Sequence, residues 1–130
     1  MFVELISPER VVFQGEVKSL VLPGAEGDMT ILPGHAPLVT TLRPGMIFAT
    51  DAQGKPRRAF AMRGLVEVTP AKVTILSDRV IGVEELTESR IREEITYLRV
   101  TREEASSESA RTQIDSTIGQ LEEFIASMRL

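Results

Sequence analysis

The chemistry open to this chain turns on one residue. Its 130 residues hold a single histidine, His35, and no cysteine. Thiol catalysis and thiolate metal sites are therefore excluded, and the composition suits a reducing compartment. His35 lies in ILPGHAPLVT (31–40), between Pro33-Gly34 and Ala36-Pro37. A histidine base needs a nucleophile within reach and a group to orient it. Ser7, Ser19, Ser77, Asp28 and Asp78 could complete a triad on paper, but no G-x-S-x-G elbow exists to expose a strained serine. A lone histidine without a second histidine or a cysteine at ligand spacing makes no zinc site, and no D-x-D-x-D-G loop offers calcium ligands. Glu84-Glu85, Glu93-Glu94 and Glu103-Glu104 are neighbours in or beside helices. They read as solvated charge rather than as a glycosidase pair. PGAEGD (23–28) has two glycines but falls between strands, and no G-x-x-x-x-G-K-[ST] follows a strand. No catalytic residue, metal ligand or cofactor is expected.

The elements around these residues follow two periods. Up to about residue 85 the chain reads as short strands broken by turns. EVKSLVL (16–22) alternates Val17, Ser19 and Val21 against Lys18, Leu20 and Leu22, and AFAMRGLVEV (59–68) and KVTIL (72–76) are strand-like. DAQG (51–54) fits a hairpin loop between GMIFAT and PRRAFAM. All 7 prolines lie in this half, at turns and strand ends. Beyond Leu86 there is no proline and one glycine, Gly119. Apolar residues fall at Ile91, Ile95 and Leu98, then at Ile114, Ile118, Leu121, Ile125 and Met128, each set one seam of a helix. Thr87 is placed to cap the first helix, and EEASSES (103–109) reads as the turn between two antiparallel helices. The expected fold is an all-β sandwich over 1–85 followed by a helical hairpin over 86–130. A hairpin with so narrow a seam should be stable enough to dock and weak enough to leave.

Charge and hydropathy narrow the partners. The net charge is −4, of which −3 falls in residues 86–130. This acidic balance argues against nucleic acid and anionic membrane surfaces. With 5 Phe, 1 Tyr and no Trp, a base-stacking platform is not expected. No apolar run approaches the roughly 20 residues that span a bilayer, so direct membrane insertion is not expected. MFVELISPE lacks the basic start and apolar core of a signal peptide.

What remains is a binding or coupling module, because loops on a rigid sandwich carry recognition well. PGAEGDMTILPGHAPLVTTLRPG (23–45) is the densest run of turns, with Leu32, Leu38, Val39 and Leu42 left to pack. On the residues alone, two readings stay open: a shaped docking surface, or ordinary turns feeding a core.

At this stretch the sequence resembles the epsilon subunits of F-type ATP synthases. The family pattern of PG-x-x-G, a short segment, a PGHAPL core and a later PG stands here as LVLPGAEGDMTILPGHAPLVTTLRPG. RGLVEVTPAKVTILSDRVI (63–81) and FVELISPERVVFQGEV are similar to further family segments, while the helical part matches mainly in layout. The resemblance implies a sandwich of about ten strands with a two-helix hairpin, in a non-catalytic subunit of the central rotor stalk. Such a subunit helps to couple proton-driven rotation of the c-subunit ring to ATP synthesis from ADP and phosphate elsewhere. It would be peripheral, on the cytoplasmic side of the bacterial plasma membrane. Carried over by position, the resemblance implies a c-ring contact at Ala25, Glu26, Gly27, Asp28, Met29 and Thr30, with Asp28 facing ring arginines. It implies a gamma-subunit contact at Pro33, Gly34, His35, Ala36, Pro37 and Leu38. Some family members bind ATP through I/L-D-x-x-R-A at the start of the hairpin. Here Leu86 and Arg90 match and Thr87 and Ile91 do not, which implies a weak nucleotide site at most. In many members the hairpin regulates ATP hydrolysis by reaching the alpha and beta subunits with basic residues. Arg111 and Arg129 are the two available here, set against Asp115, Glu122 and Glu123. The competing readings are a sandwich adaptor with a helical arm in another complex, and a small hydrolase centred on His35.

Overall fold

The structure, a computed structural model, describes residues 1–128. In chain order it contains β1 (Phe2–Ile6), β2 (Val11–Gly24), β3 (Gly27–Ile31), β4 (Leu38–Leu42), β5 (Gly45–Asp51), β6 (Pro56–Ala61), β7 (Gly64–Val68), β8 (Lys72–Ser77) and β9 (Val80–Gly82). A 3-10 turn at Val83–Glu85 leads to α1 (Glu88–Glu104) and α2 (Glu108–Met128). Two compact units divide between Val83 and Glu84.

The first unit is a β-sandwich wrapped around one core. Hydrogen-bonded neighbours run β1-β8-β7-β4-β2-β5-β6-β9, with β3 on β2 and a further pairing of β1 with β2. The 14-residue β2 therefore serves both layers. Its first half pairs β1, and its second half pairs β5 and β3. Counted as one strand, it leaves nine where the resemblance implied about ten. A strand that turns such a corner does so through a bulge. Here the β2–β5 register slips between Val17 and Ser19, leaving Lys18 unpaired. The slip changes which residues face inward. Strict alternation would put Val17, Ser19 and Val21 on one face, yet Val17, Leu20 and Leu22 are the buried ones. They join Val3, Leu5, Ile31, Ile47, Val66, Val73 and Ile75 in the core.

AFAMRGLVEV, read from sequence as one strand, is two. The chain bends at Met62-Arg63 between β6 and β7. The bend is pinned by Met62 N–H donating to Arg79 O (2.9 Å) and by Arg63 Nε to Asp78 Oδ2 (3.0 Å). Gly64 follows because a Cβ there would lie 2.1 Å from Leu76 O, far inside any real contact. The β5–β6 hairpin forms where DAQG placed it. Asp51 organises it: Oδ1 accepts the N–H groups of Gln53 and Lys55, both at 2.9 Å, and Oδ2 accepts Arg57 Nε at 3.2 Å. These donors, the Lys55 N–H foremost, hold the Asp51 carboxyl below its ordinary pKa against the opposing effect of burial.

The second unit is an antiparallel helix pair. Thr87 caps α1 as expected: it is extended, and its hydroxyl accepts Arg90 N–H at 3.1 Å. The turn is shorter than EEASSES suggested. Glu103 and Glu104 finish α1, Glu108 opens α2, and only Ala105–Ser107 connect them, with Ser107 Oγ accepting Ala110 N–H. Arg102 meets Asp115 at 2.6 Å and Arg99 meets Glu122 at 3.5 Å across the pair. Ile91 and Ile95 of α1 and Ile118, Leu121 and Ile125 of α2 are buried, whereas Leu98 and Ile114 are half-buried and Met128 is exposed. One carboxylate, Glu94, is buried as well.

Candidate docking surface

The PGHAPL loop joins β3 to β4. His35 N–H donates to Leu32 O at 3.1 Å, with Pro33 and Gly34 between them. Gly34 has φ +84°. That is a type II turn, in which proline pre-sets the second position and the third needs the left-handed φ that glycine allows. Gly34 N–H donates to Pro70 O at 3.2 Å and so ties this turn to the one between β7 and β8. The second turn is held by its own bonds, Thr69 N–H to Lys72 O (2.8 Å) and Lys72 N–H to Thr69 Oγ1 (3.1 Å). Two turns from distant parts of the sequence thus form one fixed corner.

His35 is half-buried in this corner. Its Nδ1 lies 2.7 Å from Ala36 O, and because a carbonyl only accepts, the ring donates there. That bond fixes the orientation of the ring. No group of three or more His, Asp or Glu side chains able to hold a metal occurs among the described residues.

The β2–β3 hairpin lies beside it. The last register pair is Gly24 with Gly27, leaving Ala25-Glu26 as a two-residue loop. Asp28 is not left free. Arg43, in the turn between β4 and β5, donates Nη2 to Asp28 Oδ1 (2.9 Å) and Nε to Gly24 O (3.0 Å), and its N–H reaches Pro23 O (3.0 Å). An open groove is lined by residues 25–29 together with Leu38 and Thr40 of β4. It brings the two sequence-predicted stretches, 25–30 and 33–38, to one region of the surface.

Sequence reasoning missed the apolar face next to it. Leu65 pairs with Thr41 on one side and with Leu76 on the other, and Val39 stands two residues from Thr41 on the same face. Val39, Leu65 and Leu76 are 63%, 44% and 46% exposed. Leu32, at the PGHAPL turn, is exposed too. Isolated exposed apolar residues are ordinary, but a contiguous cross-strand set is the kind of surface that marks an interaction site. The signal was in the sequence: Ile75-Leu76 and Leu65-Val66 are apolar on both faces of half-buried strands.

The remaining candidates lie in the helical unit. Leu86 is half-buried ahead of α1. Arg90 donates Nη1 to Glu94 at 2.5 Å, with Glu93 at 3.9 Å. Arg111 donates Nη1 to Ala105 O at 2.9 Å and lies 3.4 Å from Glu108. Both guanidinium groups are held inside the hairpin. Arg129 lies outside the described residues. No helix is long and apolar enough to cross a membrane among the described residues.

A sandwich presenting turns and an exposed apolar face, followed by a separate helical hairpin, defines a class of small proteins whose evident feature is a docking surface. Residues 1–83 match the family described as ATP synthase, Delta/Epsilon chain, beta-sandwich domain. The ATP synthase epsilon chain of Parvibaculum lavamentivorans is 45% identical over 93 residues, 71% of this chain and 70% of that one. Those of Brucella canis and Mesorhizobium japonicum are 36% and 32% identical, each over 91% of this chain and 87% of theirs. The fold matches a chain in the cryo-EM structure of the Euglena gracilis mitochondrial ATP synthase (OSCP/F1/c-ring, rotational state 1). There the TM-score is 0.70, with 21% identity over 97% of this chain and 79% of that one. A chain of the Tetrahymena thermophila mitochondrial ATP synthase central stalk and c-ring gives a TM-score of 0.55, with 14% identity over 71% and 69%. The chain belongs to the epsilon-chain family of ATP synthases.

Proposed function

We propose that this chain acts as a non-catalytic rotor part of the central stalk of an F-type ATP synthase. Peripheral on the cytoplasmic side of a bacterial plasma membrane, it helps to carry proton-driven rotation of the c ring to catalytic sites on other subunits. The observation that supports this most directly is the corner in which Gly34 N–H is bound to Pro70 O beside exposed Val39, Leu65 and Leu76. A part that transmits torque needs a stiff, close-packed body with fixed attachment points, and a sandwich with cross-tied turns is such a body.

The gamma subunit would rest on Pro33–Leu38 and the apolar face next to them. The c ring would meet Ala25–Thr30, where Asp28 can exchange its exposed partner Arg43 for a ring arginine. The hairpin would reach the alpha and beta subunits, with Arg111 leaving Ala105 O to do so. A nucleotide at Leu86 and Arg90 would have to displace Glu94 from the Arg90 guanidinium, so weak affinity is expected there.

Co-purification tests the reading. A tagged chain should bring down gamma and the c ring, and replacement of residues 25–28 by a Gly-Ser loop should lower ring retention while circular dichroism stays unchanged. Capture of neither subunit by the wild-type chain would sink the proposal and leave an adaptor of another complex. Unchanged ring retention by the replaced loop would move the ring contact elsewhere.

A further inference from the structure

The face that carries Val39, Leu65 and Leu76 is broader than the corner beside it. Leu65 pairs with Leu76, Leu76 with Ile6, and Ile6 with Val11, so one apolar row crosses β7, β8, β1 and β2. Leu76 and Val11 are exposed and Ile6 is half-buried. The next row on the same face runs Val39, Glu67, Thr74 and Glu4, which sets carboxylates beside the apolar row. Val66 and Val68 flank Glu67 in β7 and are buried, so Glu67 points outward with Leu65.

Charges on this face are few, and all but one are answered. β1, β4, β7 and β8 together hold three charged side chains: Glu4, Glu67 and Lys72. Lys72 Nζ meets Glu4 Oε1 at 2.5 Å. Just beyond the strand ends, Arg63 Nε meets Asp78 Oδ2 at 3.0 Å. Glu67 makes no ion pair among the described residues. In water an exposed carboxylate needs no partner. A protein that covers Val39 and Leu65 strips that water away, and the charge is then costly unless a cation meets it. Once met, the pair is shielded from solvent by the apolar side chains around it, where it is worth more than an open surface pair.

We propose that Glu67 is the specificity anchor of this face and receives a lysine or arginine that the gamma subunit presents within an apolar patch. The inference rests on the gamma contact proposed above and adds what gamma must carry there. A partner with an equally apolar patch but no cation is refused, because it would bury Glu67 unpaired.

Surface plasmon resonance of the full chain on an immobilised assembly of alpha, beta and gamma subunits lacking this chain tests it. Glu67→Gln should unfold at the wild-type urea concentration, since the carboxylate has no ion-pair partner in the free chain. Its dissociation rate from the assembly should rise roughly tenfold, the worth of one charged hydrogen bond, with little change in the association rate. Glu67→Lys should dissociate faster still. Glu123→Gln, the same change in net charge at an exposed position of α2, should match wild type. A wild-type dissociation rate in Glu67→Gln overturns the anchor and leaves the gamma reading standing. So does a change confined to the association rate and removed by salt, which is steering at a distance. No binding by the wild-type chain overturns both.

Discussion

Arg43 and Asp28, fifteen positions apart, meet at 2.9 Å and lock the β2–β3 hairpin to the turn before β5. The same guanidinium caps Gly24 O, so one side chain spans a carboxylate and a carbonyl. Arg43 is 39% and Asp28 71% exposed at the side chain, and an ion pair in that setting contributes about 0–1 kcal/mol. The pair therefore orients the hairpin more than it stabilises the fold. Asp28→Asn should change urea-unfolding stability by less than about 1 kcal/mol. The same variant should lower retention of the c ring severalfold in the co-purification above. A large stability loss without a binding change would mean that the pair is structural and the ring contact lies elsewhere.

Asp51 gives the first unit an acid limb. Its folded pKa is depressed below the ordinary 3.8 by the Lys55 and Gln53 N–H groups and by Arg57. A depressed carboxylate contributes stability that is fully present above its unfolded pKa and is lost as pH falls through the lower folded value. The window therefore opens near the ordinary carboxylate range and extends to more acid pH. Chemical unfolding of wild type and Asp51→Asn should show the gap between them at pH 6 narrowing steadily below about pH 4. A gap independent of pH would show that the hairpin draws on the shape of the side chain rather than its charge.

Most of the architecture was legible because period and punctuation are local. Thr87, the DAQG turn and the two isoleucine-rich seams each carried their signal within a few residues. What escaped was set by pairing over distance. The bulge at Lys18 reverses which face of β2 is buried, and only the register against β5 reveals it. Arg43 lies in LRPG, which reads as a turn, and nothing near it announces Asp28 as its partner. Leu65 and Leu76 lie in strands that are apolar on both faces, so the local pattern assigns neither of them a side, and only the pairing shows them opposite one another on the outside. The PGHAPL turn was read for its geometry, but its bond to Pro70 required β7 and β8 to be in place.

Arg90 and Glu94 form an asymmetric pair. The Glu94 side chain is 4% exposed, whereas Arg90 keeps 31% of its side chain accessible. Removing one partner of a buried pair costs most when the group left behind is the one that water cannot reach. Arg90→Met should therefore destabilise the hairpin by about 2–3 kcal/mol, since it takes the guanidinium from a buried carboxylate. Glu94→Gln should cost about 1 kcal/mol, since Arg90 can turn to solvent and to nearby Glu93. Hydrogen exchange of the α1 and α2 amides reads the difference without global unfolding. Protection in the helical unit should fall in both variants, further in Arg90→Met, while the amides of β5, β7 and β8 stay as they were. Equal losses would mean that Glu94 is held by the rest of its surroundings as firmly as by Arg90. A parallel fall in the sandwich strands would mean that the two units unfold together.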